Sequence, residues 1–135
     1  MDEEAALTSQ KMPRGFAWGA VRAGIKASGN LDLAAAVARD AAGAVAVGAA
    51  MFTSNQVVAA PVTVGRRYLL TTGGRVGAVL VNAGNANCAT GEAGLEGCVR
   101  TCAAAAEVFE CIFDEVIPSS TGIIGVPFPV EKVVA

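Results

Sequence analysis

Two short stretches carry the residue types that could do chemistry: NAGNANCATG (82–91) and SSTGIIG (119–125). In each, an apolar run gives way to small, hydroxyl and amide residues, where an α/β protein commonly presents binding groups. The chain contains no histidine, so the usual proton carrier near neutral pH is missing. A Ser-His-Asp triad, a Cys-His pair and any His-ligated metal are thereby excluded within this chain. With histidine absent, the hydroxyls of SSTGIIG are poor candidates for nucleophiles. Their chemical use would be an oxyanion hole, a hydroxyl plus a backbone N–H aimed at charge developing on a carbonyl oxygen. The competing reading is a plain turn, with Gly122 and Gly125 supplying unusual dihedrals. For NAGNANCATG, amides facing a ligand compete with an Asx-rich turn closed by a helix cap, and the residues favour the turn. GxSxG, GxGxxG and GxxxxGK[ST] are all absent, which removes the common nucleophile elbow and phosphate cradles.

Composition narrows the class. At 135 residues the chain is one domain or one piece of one, long enough to bury an ordinary core. An apolar fraction of 53% with 16% charged residues describes a globular protein. The net charge of −2 argues against nucleic acid or an anionic membrane as partner, since both call for clustered Lys and Arg. No apolar run reaches the length of about 18 residues that a bilayer span needs. The opening MDEEAALTSQ is acidic and polar, unlike a secretory signal, and the expected location is the cytoplasm. Cys88, Cys98, Cys102 and Cys111 form no C-x-x-C pair. They are expected to be free thiols packed as small apolar residues, with no metal bound.

Several elements must position the two stretches. Residues 1–12 read as a loose terminus. Residues 15–30 read as extended segments broken by turns at Gly15, Gly19, Gly24 and Ser28-Gly29. LDLAAAVA could be strand or short helix, because its length does not let periodicity decide. The continuous apolar run AVAVGAAMF (44–52) predicts a strand covered on both faces, with Gly48 allowing another backbone to approach. A short helix is expected near Ala60-Pro61-Val62, stopped by Gly73-Gly74.

VGAVLVN (76–82) predicts a buried strand. A long helix capped by Thr90 should follow, with Glu92 in its first turn. Leu95, Val99, Cys102, Ala106, Phe109 and Phe113 draw its apolar stripe. EVIPSS (115–120) predicts the next strand, so 76–118 has the grammar of a right-handed crossover between parallel neighbours. A last helix starts near Pro129 and has fewer than two turns before Ala135. The sequence therefore reads as cut rather than finished, a single partial domain of mixed α/β class with helices packed on a sheet.

Taken in order, GFAWGAVRAGIKASG, AAMFTSNQVVAAPV, VLVNAGNANCATGEAG and SSTGIIGVPFPVEKV resemble the ornithine acetyltransferases, the bifunctional glutamate N-acetyltransferases of arginine biosynthesis. The resemblance runs from Gly15 onward and implies an αββα-type sandwich, incomplete here. It implies a precursor that cuts itself before an internal threonine to give an α and a β chain, whose αβ pairs associate further. The freed threonine would take acetyl from N-acetylornithine and pass it to glutamate in a ping-pong reaction, using its own α-amine as base. The resemblance also places the oxyanion hole at Thr121 and Gly122, and implies no bound cofactor, with acetyl-coenzyme A left open as an additional donor. No threonine of this chain stands in the nucleophile's context, so the chain alone is expected to be inactive. The competing functions are a related self-cleaving amidase or aminopeptidase, and a non-catalytic module that binds a small anion.

Overall fold

The computed structural model describes residues 13–39 and 42–135, so the terminus expected to be loose lies outside the described residues. In chain order the elements are β1 (Phe16–Val21), β2 (Leu33–Ala38), β3 (Ala46–Val47), α1 (Ala60–Thr71), β4 (Arg75–Val76), β5 (Ala78–Asn85), α2 (Gly91–Phe109), β6 (Val116–Ile123) and α3 (Val130–Val134). A 3-10 turn over Phe113–Glu115 leads into β6.

Four strands form the main sheet in the order β1-β2-β5-β6. The β1/β2 and β2/β5 pairs are antiparallel, and β5/β6 is parallel. Residues 76–118 thus form the expected strand–helix–strand unit with its two strands as parallel neighbours. LDLAAAVA resolves as strand because β2 is paired on both sides, and ladder bonds to two neighbours outweigh the helix preference of alanine. Gly19, expected to turn, lies inside β1 opposite Ala35. The bends fall instead at Gly15, Gly24 and Gly29, all with positive φ.

Helices pack on this sheet, which bears out the mixed α/β class. Val64 and Tyr68 of α1 join Cys98, Cys102, Ala105 and Ala106 of α2 over Ala78 and Leu80 of β5 and Val116 of β6. Small residues let the helices sit close. A Cβ on Gly65 of α1 would already touch Ile117 at 3.7 Å and Pro118 at 3.8 Å. Pro61 lies in the first turn of α1, where its missing N–H costs nothing. The expected stop follows, with the Gly74 N–H closing on the Leu69 carbonyl at 2.9 Å.

Two expectations change. The run 44–52 yields only the two-residue β3, paired with the equally short β4, rather than a strand covered on both faces. Val47 is 84% exposed and Met51 wholly so, because among the described residues no further ladder partner reaches them. Gly48 does allow a close approach: its N–H donates to the Gly74 carbonyl at 2.7 Å, and a Cβ there would stand 2.7 Å from Val76 Cγ2.

The stripe of α2 is also rotated from the expected one. Its buried centre is Gly94, Gly97, Cys98, Thr101, Cys102, Ala105 and Ala106. Leu95, Val99 and Phe109 are only partly buried, and they flank that centre. Phe113 lies beyond the helix, which ends as Glu110 turns into the left-handed region. Tight packing selects the small residues of the helix for its centre, whereas hydrophobicity alone picks out the large ones. Among the described residues no helix is long and apolar enough to cross a membrane.

Candidate active site

The first part of each chemically promising stretch is strand, and the turn comes only after Asn85 and Ile123. β5 continues through Asn85 and β6 through Ile123, so NAGN and SSTGI lie side by side in a parallel ladder. Asn82 faces Ser120 in register, Ala83 faces Thr121, Gly84 faces Gly122 and Asn85 faces Ile123. Polar and glycine residues, poor strand formers in isolation, are held extended here by tertiary pairing. Gly122 has φ 133° and Gly84 φ 102°. A Cβ on Gly122 would meet the Gly84 carbonyl and stand 2.6 Å from the Asn85 nitrogen. Only glycine lets these strand ends approach so closely.

The asparagines serve the framework. Asn82 Nδ2 donates to the Asn85 carbonyl at 2.7 Å, which also receives the Ser120 hydroxyl at 3.0 Å. Ser120 Oγ in turn accepts the Asn87 N–H at 2.9 Å. Asn87 is buried, with Nδ2 on the Gly94 carbonyl at 2.8 Å and Oδ1 receiving the Thr90 hydroxyl at 2.6 Å. Thr90 is the N-cap residue of α2 but makes no side-chain capping bond, contrary to expectation, because Asn87 takes its hydroxyl. A Cβ on Gly94 would stand 2.5 Å from Asn87 Oδ1, so this turn also depends on a glycine. Asn85 Nδ2 reaches the carbonyls of Val126 and Pro127 at 3.1 and 3.3 Å. Its Oδ1 is buried without a partner. This network fixes where β5 and β6 end, and Ser120 is its hinge pin; Ser119 remains exposed.

The structure brings Thr121 and Gly122 to the open end of that ladder. Both are exposed. Thr121 is the one hydroxyl residue of SSTG paired with Ala83, a neighbour without polar side-chain atoms. Its hydroxyl engages no neighbour among the described residues, whereas Ser120 is fully committed. The pair can therefore present a hydroxyl and a glycine backbone to a ligand.

A second feature escaped sequence reasoning. Asp32 is buried at 3% exposure and accepts the N–H groups of Ala23, Ile25 and Lys26 at 2.6, 2.6 and 2.8 Å. Burial alone would push its carboxyl up, but those donors and the Lys26 charge outweigh it and hold it below its ordinary 3.8. Asp32 thus folds the 23–31 loop against the strand ends. Lys26 lies so close that a Cβ on Gly84 would be 2.7 Å from its Cγ. The signal available was a lone acid ending a glycine-rich loop. Beside it opens a cavity of about 490 Å³ whose lining includes Lys26, Gly84, Asn85, Gly122 and Lys132.

Comparison with known proteins agrees with this fold. The ArgJ family pattern matches residues 17–135. The chain is 43% identical over 126 residues to the arginine biosynthesis bifunctional protein ArgJ of Rhodopirellula baltica, covering 93% of this chain and 29% of that protein. It is 48% identical over 123 residues to the protein of the same name from Thermus thermophilus, covering 91% and 31%. The chain therefore spans about three-tenths of the length of these relatives. Among solved structures, ornithine acetyltransferase from Mycobacterium tuberculosis complexed with ornithine superposes with TM-score 0.81 at 41% identity, covering 90% of this chain and 63% of that one. The Bacillus halodurans ArgJ structure superposes equally well, with TM-score 0.81 at 33% identity, covering 90% and 60%. By sequence and by fold, this chain belongs to the ArgJ family.

Proposed function

We propose that this chain supplies the oxyanion-binding part of a glutamate N-acetyltransferase that takes acetyl from N-acetylornithine. The observation that carries the reading is Thr121. The residue is exposed, and its hydroxyl engages no partner among the described residues beside Gly122, whose backbone is held by close packing on Gly84 and Asn85. In the reaction, a threonine freed by self-cleavage, and carried on the β chain of the same precursor, attacks the acetyl carbonyl of N-acetylornithine. Its hydroxyl proton passes to its own α-amine. The resulting oxyanion is received by the Thr121 hydroxyl and the Gly122 N–H. Collapse expels ornithine as the amine and leaves acetyl on the threonine. The amine of glutamate then attacks that ester through a second oxyanion at the same place. Its collapse breaks the threonyl C–O bond, passes the amine's proton by way of the α-amine to the threonine oxygen and releases N-acetylglutamate.

The αβ pairs associate further, in the cytoplasm. The 135-residue chain lacks a threonine in the nucleophile's context and has no turnover alone. Acetyl-coenzyme A would serve only as a further acetyl donor. The test is incubation of the full-length protein with glutamate and N-acetylornithine labelled in the acetyl group. Labelled N-acetylglutamate is the expected product. Labelled free acetate alone would assign the protein to the hydrolytic amidases instead.

A further inference from the structure

The cavity next to Gly122 has a chemical character that the oxyanion reading does not use. Lys26 of the 23–31 loop and Lys132 of α3 both line it, with Gly84, Asn85 and Gly122 along the strand ends. Each ammonium spends one donor on the 24–31 loop. Lys26 Nζ donates to the Leu31 carbonyl at 2.8 Å, and Lys132 Nζ to the Gly24 carbonyl at 2.6 Å. An ammonium has three donors, so two remain on each. The acids nearby are already committed. Asp32 gives both oxygens to backbone N–H groups, and Glu131 pairs with Arg100 at 2.8 Å. The cavity lining holds two ammonium groups and no acid among the described residues. Against the single carboxylate of Asp32, which acts on Lys26 from behind, the wall remains net cationic, and both cations are held by a loop that Asp32 closes.

A second observation points the same way. Asn85 is 5% exposed, lines this cavity and keeps a buried Oδ1 without any donor. The acceptor's amine, in the neutral form that attacks the acyl-threonine, would bring that donor and be oriented by it. Ile25, Ile123 and Pro127 supply apolar walls for a short methylene chain between that amine and a carboxylate. The volume of about 490 Å³ is in the ordinary range for a small-molecule site.

We propose that this cavity is the carboxylate subsite for the dicarboxylate acyl acceptor, with Lys26 and Lys132 as its anion-binding residues. The proposal rests on the transferase reading and deepens it. Two fixed ammonium groups attract a side-chain carboxylate and repel the cationic side chain of the donor, so they distinguish the two substrates of one active site.

The test uses the full-length protein and glutarate, a five-carbon dicarboxylate with no amine to acetylate, with 1,5-diaminopentane as the cationic control. Calorimetry should show glutarate binding and no diaminopentane binding. Lys26→Gln and Lys132→Gln remove charge while leaving an amide that can still donate to Leu31 and Gly24. Each should weaken glutarate by about tenfold, the scale of losing one charge-assisted contact. Each should also raise the KM for glutamate while leaving the KM for N-acetylornithine in place. Melting temperatures within the wild-type range establish that the variants are folded, and Lys132→Arg should retain binding. Unchanged glutarate affinity in both folded variants, or diaminopentane binding as well as glutarate, would overturn the proposal. Lysine-dependent glutarate binding in a protein without transferase activity would overturn the transferase reading and leave the subsite standing. Turnover with an unmoved glutamate KM in both variants would do the reverse.

Discussion

Gly122 stands directly across the parallel ladder from Gly84, so close that a side chain on Gly122 would run into the Gly84 carbonyl and approach the Asn85 nitrogen to 2.6 Å. The obstacle is backbone, which cannot swing aside as a side chain would. Gly122→Ala should therefore cost about 3 kcal/mol, combining overpacking with backbone strain at a φ of 133°. Gly125 also has positive φ, 92°, but open space around it. Gly125→Ala should cost only about 1 kcal/mol. Denaturant melts of the two variants check the order, and equal losses would contradict the packing account.

A buried acid anchors the start of β6. Glu115 Oε1 receives Arg75 Nε at 2.8 Å and pairs with Nη2 at 2.7 Å, while Oε2 accepts the Ile112 N–H at 3.2 Å. The side chain of Glu115 is 3% exposed and that of Arg75 57%, so the two partners are not equivalent. Arg75→Met strands a buried carboxylate and should cost about 3 kcal/mol. Glu115→Gln leaves an arginine that water can reach, and should cost about 1–2 kcal/mol. Paired unfolding curves test this, and the reverse order would contradict it.

Asp32 should make stability depend on acid. Its folded carboxyl titrates below its ordinary 3.8, so the folded state resists a proton that the unfolded chain accepts. The contribution is full well above 3.8 and is lost as pH falls through the lower folded value. Melting temperature should therefore fall as pH drops below about 5, and more gently in Asp32→Asn. Parallel slopes for the two proteins would show that Asp32 is not the group responsible.

The thiols should divide by burial. Cys98 and Cys102 are 1% and 0% exposed, while Cys88 and Cys111 are half-buried. The hydrogen bond with Cys98 and burial push the Cys102 thiol far up, so its reactive thiolate is suppressed. Native protein treated with a thiol reagent at mild alkaline pH should label only at Cys88 and Cys111, and at all four after denaturation. Mass mapping of native label to Cys102 would contradict the packed core.

Much of this was legible in the sequence. The runs 76–82 and 115–120, joined by a long amphipathic helix, specify the crossover unit, whereas the composition of SSTG and NAGN alone favours plain turns, and only the family resemblance makes them a candidate site. Their strand geometry was not legible, because glycine, serine and asparagine favour turns until a neighbouring strand pairs with them. The run 44–52 shows the opposite failure: apolarity says that a segment should be covered, not that a covering partner is at hand. Arg75–Glu115 spans 40 residues and Asp32 binds a loop before it, so both appear only once the chain is folded.

The central claim is that Thr121 receives an oxyanion and does not form one. The direct measurement is steady-state kinetics of Thr121→Val in the full-length protein, with N-acetylornithine and glutamate. Losing one donor from an oxyanion hole should lower kcat by about a hundredfold and leave both KM values nearly unchanged, since the interaction exists only in the transition state. A wild-type kcat with raised KM values would make Thr121 a substrate-binding residue and contradict the account.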